Sequence, residues 1–151
     1  MGIRIAFISS EVFTEKRRGG FGWLVRVIGR ELVRRGFEVI ILTWRDHGYP
    51  EEYILDGMKV MTYRYVSDTR SILKSLHDYW DFARIVRRID VDVFISIEAM
   101  VETLIAELLA RNTKHVVWAQ DPFDWRDYEL LSSVDPYYRI SRVRFMINRL
   151  I

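Results

Sequence analysis

Apolar and polar positions along the 151-residue chain fall into two alternating periods, and each change of period marks an element. Ile3 to Ile8 is a short, nearly unbroken apolar run, as in a strand buried on both faces. From Phe21 to Arg35 the spacing becomes helical. Leu24, Ile28 and Leu32 recur every four residues as the inward face, and Arg26, Arg30 and Arg34 form the wet one. Arg34 and Arg35 in the last turn and Gly36 at C′ are the expected stop. Phe37 to Thr43 is a second apolar strand, which completes a β-α-β unit of the kind that is nearly always parallel and right-handed.

An antiparallel interruption follows. Tyr53 to Leu55 and Met58 to Tyr65 flank Asp56-Gly57, a two-residue pair suited to a tight hairpin turn. Thr69 to Arg88 reads as a helix with Ile72, Leu76, Tyr79, Phe82 and Ile85 inward. Val91 to Ile97 then reads as a strand, Ala99 to Arg111 as a helix and His115 to Ala119 as a strand. Asp135-Pro136 supplies an N-cap and an N1 proline for a last helix from Tyr137 to Ile151. The pattern predicts one α/β domain over residues 1–151, a doubly wound, mostly parallel sheet with a small β-hairpin insert. The last helix ends on Leu150-Ile151 without a glycine, proline or polar tail, the mark expected of a chain cut at a domain boundary. A docked helix at a true C-terminus is the other reading.

Composition narrows the class. Half of the residues are hydrophobic and 29% are charged, the balance of a globular chain. The net charge of +2 is too small to mark a nucleic-acid binder. No apolar run is long enough for a membrane span, and no cleavable leader is evident, so a cytoplasmic location is expected. With no cysteine there is no disulfide and no thiolate metal site, and His47, His77 and His115 lack metal-ligand spacing, so neither a metal nor a cofactor is expected. Two asparagines and one glutamine among 151 residues hint at a thermophilic source.

In an open α/β sheet, ligands bind outside the carboxyl ends of the strands. Four loops qualify: Ser9 to Gly20, Trp44 to Tyr49, Glu98 to Met100 and Gln120 to Asp127. In the first, Gly19-Gly20-Phe21-Gly22 opens a helix, where unpaired amides and the positive end of the dipole favour an anion such as a phosphate. Glycines required only for the turn are the alternative. Val25 stands where a dinucleotide fingerprint needs its third glycine, and no Gly-Lys-Ser/Thr follows, so neither a dinucleotide motif nor a P-loop is present. Arg17 and Arg18, just ahead of the glycines, read as a basic arm for an anionic substrate or as a solvated charge run. Glu98 reads as a catalytic carboxylate or as a helix N-terminal charge. His47, Gln120, Asp121 and Trp125 lie on the same side. Aromatic faces beside carboxylates suit a sugar ring, though Trp118, Phe123 and Trp125 in a core or domain interface fit as well.

Ile3-Arg4-Ile5-Ala6-Phe7-Ile8-Ser9, then Gly19-Gly20-Phe21, then Leu32 to Val39 resemble the opening of a family 4 type glycosyltransferase of the GT-B fold. Asp56-Gly57-Met58-Lys59-Val60, Val91-Asp92-Val93-Phe94 with Glu98, and Val116 to Asp121 are similar to the segments that follow in that family. The resemblance implies the N-terminal, Rossmann-like, acceptor-side domain of a retaining enzyme with a nucleotide-sugar donor. Gly19 and Gly20 would meet the donor diphosphate, and Arg17, Arg18, His47, Gln120 and Trp125 the acceptor. Asp121 and Glu98 are the candidate catalytic groups. Many members place a histidine where this chain has Gln120-Asp121, a departure that leaves the donor-sugar contact open. The resemblance also implies a C-terminal nucleotide-binding domain, absent from these residues, as the missing partner, or another chain in its place. A stand-alone, non-catalytic α/β binding module is the second function class. The last helix, with Arg139, Arg142, Arg144 and Arg149, leaves docking on a partner domain and peripheral contact with anionic lipid both open, and an uncovered apolar surface would favour self-association.

Overall fold

The computed structural model describes residues 2–14, 19–45, 48–64, 72–97 (backbone alone for 72–78) and 101–118, with Leu130 and Ser133. The described elements run β1 (Arg4–Ile8), α1 (Gly20–Arg34), β2 (Glu38–Trp44), β3 (Glu52–Leu55), β4 (Met58–Tyr63), α2 (Ile72–Val86), β5 (Val93–Ile97), α3 (Val101–Leu109) and β6 (Lys114–Trp118). The last helix expected from Tyr137 lies outside the described residues.

The strands form one sheet in the order β3-β4-β2-β1-β5-β6. Every pairing is parallel except that of β3 with β4. The hairpin insert is built onto one edge of the sheet. Its second strand runs parallel to β2, with Val60 opposite Ile41, and only β3 runs the other way at the sheet's edge. Strand order reverses at β1, which has β2 on one side and β5 on the other. Arg4 secures this junction from below, its amide donating to the Asp92 carboxylate at 2.7 Å and its guanidinium meeting Asp90 at 2.7 Å.

Both faces of the sheet are covered, which is why β1 and β2 carry unbroken apolar runs. Ile5, Phe7, Val39, Ile41 and Val60 pack beneath α1, around Val25. Ala6, Ile8, Ile40, Leu42, Tyr63 and Phe94 face the other way, toward Phe82 and Val86 of α2 and Ala106 of α3. The inward face of α1 is centred on Gly22, Val25 and Gly29, a rotation away from the Leu24-Ile28-Leu32 stripe that the spacing predicts. Ile28 and Leu32 flank that seam half-buried. Glycines add nothing to a count of apolar side chains, yet they allow the helix axis closest to the sheet. A Cβ at Gly29 would meet the sulfur of Met58. At β6, His115 stacks on Phe94 with ring centroids 5.2 Å apart, and its Nε2 lies 3.1 Å from the Ala110 carbonyl, so this histidine belongs to the packing. Among the described residues, no helix is long and apolar enough to cross a membrane.

Two turns form as the sequence requires. Gly36, at φ +86°, follows α1, and its amide donates to the Val33 carbonyl at 3.0 Å. Asp56 and Gly57 sit at φ +51° and +84°, the two left-handed positions of a type I′ hairpin. Arg26 of α1 reaches this turn, its Nε donating to Asp56 Oδ2 at 2.6 Å and its Nη2 to Oδ1 at 3.3 Å. The hydrogen bond from Arg26 holds the Asp56 carboxyl below the usual carboxylate range, and the same bond raises the guanidinium. An acid whose folded-state value is depressed stabilises the fold fully above its unfolded value, near ~3.9. That contribution disappears as pH falls through the folded-state value. Asp56→Asn keeps a side chain that tolerates the left-handed turn and removes the charge. At neutral pH the variant should be destabilised by roughly 1 kcal/mol, the scale of a partly exposed pair. Denaturant melts at neutral and strongly acidic pH should converge for the two proteins, and a gap that survives acid would count against the pair.

Candidate functional site

β1 ends at Ile8, and Ser9 turns the chain immediately. The Ser9 amide continues the ladder to the Leu42 carbonyl at 3.0 Å, while its hydroxyl donates to the Glu11 carbonyl at 2.7 Å. This turn brings Glu11 to the start of α1. The N-cap is Gly19, which has no side chain to satisfy the first amides. Glu11 does so from a distance, its Oε1 accepting from the Gly22 amide at 3.1 Å. A carboxylate at the positive end of a helix dipole is favourable, so Glu11 serves as a long-range cap.

The fold gives the three glycines of this turn different surroundings. A Cβ on Gly19 would land on the Glu11 carboxylate, about 1.8 Å from its Oε1. A Cβ on Gly22 would lie 2.7 Å from the Phe13 nitrogen and 2.9 Å from the Val12 carbonyl carbon, both backbone atoms. Among the described residues, a Cβ on Gly20 would meet nothing within 4 Å. Gly20 also has no left-handed φ to require glycine. Gly22 thus seats the helix on the loop and Gly19 accommodates the cap. Gly20 exposes bare backbone in the first turn, at the carboxyl edge beside the β1/β5 reversal.

The opposite face of the same edge holds a buried polar cluster. Glu102, in the first turn of α3, is 3% exposed and takes the Trp44 indole N–H at 3.0 Å on the oxygen that Tyr63 Oη approaches at 3.3 Å. Burial, and after it the Glu102 charge, pushes the Tyr63 hydroxyl well above its ordinary value, so it remains a neutral donor. Arg45, one residue past β2, donates from Nε to Thr62 Oγ1 at 3.0 Å and from Nη2 to the Thr62 carbonyl at 3.1 Å, and pairs with Glu51 at 3.1 Å. These contacts pin the ends of β2 and β4 together. The buried Thr43 hydroxyl has no hydrogen-bond partner among the described residues.

Of the residues singled out from sequence, Gly19 and Gly20 are described and stand together at the start of α1. Arg17, Arg18, His47, Glu98, Gln120, Asp121 and Trp125 lie outside the described residues. Their segments are continuous with the carboxyl ends of β1, β2, β5 and β6, the four parallel strands that the ligand-binding rule selects. Glu11 and Glu102 were missed. A glycine N-cap with no acceptor of its own was the available signal for Glu11. Nothing in the spacing pointed to Glu102, whose partners lie 58 and 39 residues away. Among the described residues, no cluster of His, Cys, Asp or Glu could hold a metal ion.

Residues 19–150 match the family described as "Glycosyl transferase 4-like domain". No curated protein matches the chain. Among solved structures, the chain is similar to sucrose-phosphate synthase from Thermosynechococcus elongatus, with a TM-score of 0.67 and 13% identity over 98% of this chain. It spans 39% of that protein. It is also similar to the C-terminal domain of PF1911 hydrogenase from Pyrococcus furiosus, with a TM-score of 0.51 and 13% identity, covering 78% of this chain and 92% of that one. At such identities the two likenesses establish the α/β fold alone.

The glycine surroundings predict an ordered series of stabilities. Gly20→Ala should be neutral or stabilising by up to about 1 kcal/mol, since alanine is the better helix former and meets no neighbour. Gly19→Ala displaces the cap and should cost about 1 kcal/mol, because a flexible carboxylate can swing away. Gly22→Ala drives a methyl into backbone and should cost roughly 1 to 3 kcal/mol. Denaturant unfolding of the three variants checks the order, and a Gly20→Ala as unstable as Gly22→Ala would contradict it.

Proposed function

Since the chain belongs to the glycosyl transferase 4-like family, we propose that it forms the acceptor-side half of a retaining glycosyltransferase that uses a nucleotide-sugar donor. The observation that carries this reading is Gly20, a first-turn glycine that neither its conformation nor any neighbour among the described residues demands. Bare backbone at the positive end of a helix lets an anion approach an amide without a side chain between them, and the donor diphosphate is the anion this chemistry needs. Gly19 lies in the same turn, with Glu11 filling its open side, so the seat narrows toward Gly20. Arg17 and Arg18 would add positive charge ahead of it. His47, Gln120 and Trp125 would contact the acceptor from the loops after β2 and β6.

Two substrates must be held together for transfer, and most of the donor's binding energy resides in a nucleotide-binding domain. We place that domain outside these 151 residues, joined to this one or supplied by another chain, and the whole acts in the cytoplasm. Asp121 would bind a sugar hydroxyl, and a retaining mechanism asks no base of this domain. Glu98 would be the other candidate catalytic group.

Titration of the chain with pyrophosphate, followed at the Gly20 amide by NMR, tests the phosphate seat. Gly20→Val should fold and should weaken binding roughly 10- to 100-fold, the loss of a charge-assisted contact. A folded variant with unchanged binding would refute the seat. In a completed enzyme, Asp121→Asn should lose activity modestly with its pH profile intact, whereas a loss on the order of 10²-fold or more with a shifted profile would instead make Asp121 a general base.

A further inference from the structure

Three tryptophans are substantially exposed among the described residues: Trp23 at 54%, Trp80 at 61% and Trp118 at 40%. Trp80 has the Arg87 guanidinium over its ring, 5.9 Å from the centroid, and Trp118 adjoins residues outside the description. Trp23 stands in the first turns of α1, and its amide donates to the Gly19 carbonyl at 3.0 Å. Gly20 and Trp23 are three residues apart and so share a face of the helix, about 5 to 6 Å apart. Helical side chains lean toward the N-terminus, so the indole is directed toward the end of the helix where Gly20 lies, while the space beside Gly20 itself stays open, a Cβ there meeting nothing within 4 Å among the described residues. The two therefore stand side by side at the helix start, bare backbone in one place and an aromatic surface in the other.

The indole is also held. The Phe13 ring meets it edge to face, with centroids 5.2 Å apart and planes at 74°. Phe13 is fixed in turn by Arg26 Nη1, which donates to its carbonyl at 3.1 Å, and by the close seating of its backbone on Gly22. A large aromatic surface fixed by its neighbours and left half in water is pre-organised for a ligand, which then binds without the cost of ordering the side chain.

We propose that Trp23 is a stacking platform for a pyranose ring. The inference rests on the glycosyltransferase reading above. A pyranose has one face lined with C–H groups and a rim of hydroxyls, so it lays the apolar face on an indole and leaves the hydroxyls to polar neighbours. A group one helical turn from a bound diphosphate is a sugar, whether it is the donor's own ring or the acceptor's ring drawn up to meet it. The shared chemistry is the ring, and the two sources are separable.

The Trp23 indole N–H signal, assigned by its loss in Trp23→Phe, reports on the site in the 151-residue chain. Methyl pyranosides of glucose, galactose, mannose and N-acetylglucosamine are titrated first, then the corresponding sugar 1-phosphates. At least one should shift the Trp23 signal saturably and leave that of Trp80 in place. Read on the sugar protons by saturation transfer from the protein, since neither variant keeps the reporting indole, Trp23→Ala should weaken this binding about three- to tenfold, and Trp23→Phe should retain most of it. A response to a methyl pyranoside assigns the platform to the acceptor ring, and a response confined to a sugar 1-phosphate assigns it to the donor ring. No shift with any sugar would overturn the proposal, as would an equal shift with cyclohexylmethanol or uridine. Pyrophosphate at the Gly20 amide is read separately, so a silent Gly20 beside a responsive Trp23 would sink the diphosphate seat and leave the platform standing.

Discussion

The carboxyl edge of this domain depends on how closely the first turn of α1 can be drawn against the loop leaving β1. Gly22 sets that distance, because any Cβ there would strike the Phe13 and Val12 backbone. Once the contact is made, Glu11 lies within reach of the helix start, Phe13 lies against Trp23, and Arg26 reaches both the Phe13 carbonyl and the hairpin turn at Asp56. One missing methyl thus coordinates a cap, an aromatic pair and an ion pair. The cap and the aromatic pair border the bare backbone at Gly20.

The two faces of the edge divide their labour. On the α1 side, polar backbone is left open at Gly20. On the other side, three side-chain donors are answered inside the protein: the Trp44 indole and the Tyr63 hydroxyl by Glu102, and the Arg45 guanidinium by Thr62 and Glu51. A buried carboxylate is tolerated only with such partners, and its removal would take a shared acceptor from two donors. That cluster ties the ends of β2 and β4 to each other and to the start of α3.

Much of this was legible in the sequence where the signal is local. Apolar runs located β1 and β2, Gly36 located the end of α1, and Asp56-Gly57 located the hairpin, because each reports the needs of its own few residues. What escaped reading is tertiary. The seam of α1 runs through Gly22, Val25 and Gly29, and glycine carries no hydrophobic label. The hairpin's second strand joins the parallel sheet because Ile41 and Val60 need the same helix above them, a demand invisible from either strand alone. Glu11 acts on a partner 11 residues along the chain, and Glu102 on Trp44 at 58, so neither role leaves a spacing to recognise.

The strand order carries a consequence for when the crevice comes into being. β3 and β4 meet through a two-residue turn, and pairs of that kind close within about 1 to 10 μs. β1 and β2, like β5 and β6, must wait for one helical crossover. The ladder between β1 and β5 unites segments as far apart as Arg4 and Asp92, 88 residues along the chain, and long closures carry the largest entropic cost. On contact order alone, the β1/β5 ladder is therefore the slowest pairing of the sheet to close, and it is the one that joins the two halves of the sheet.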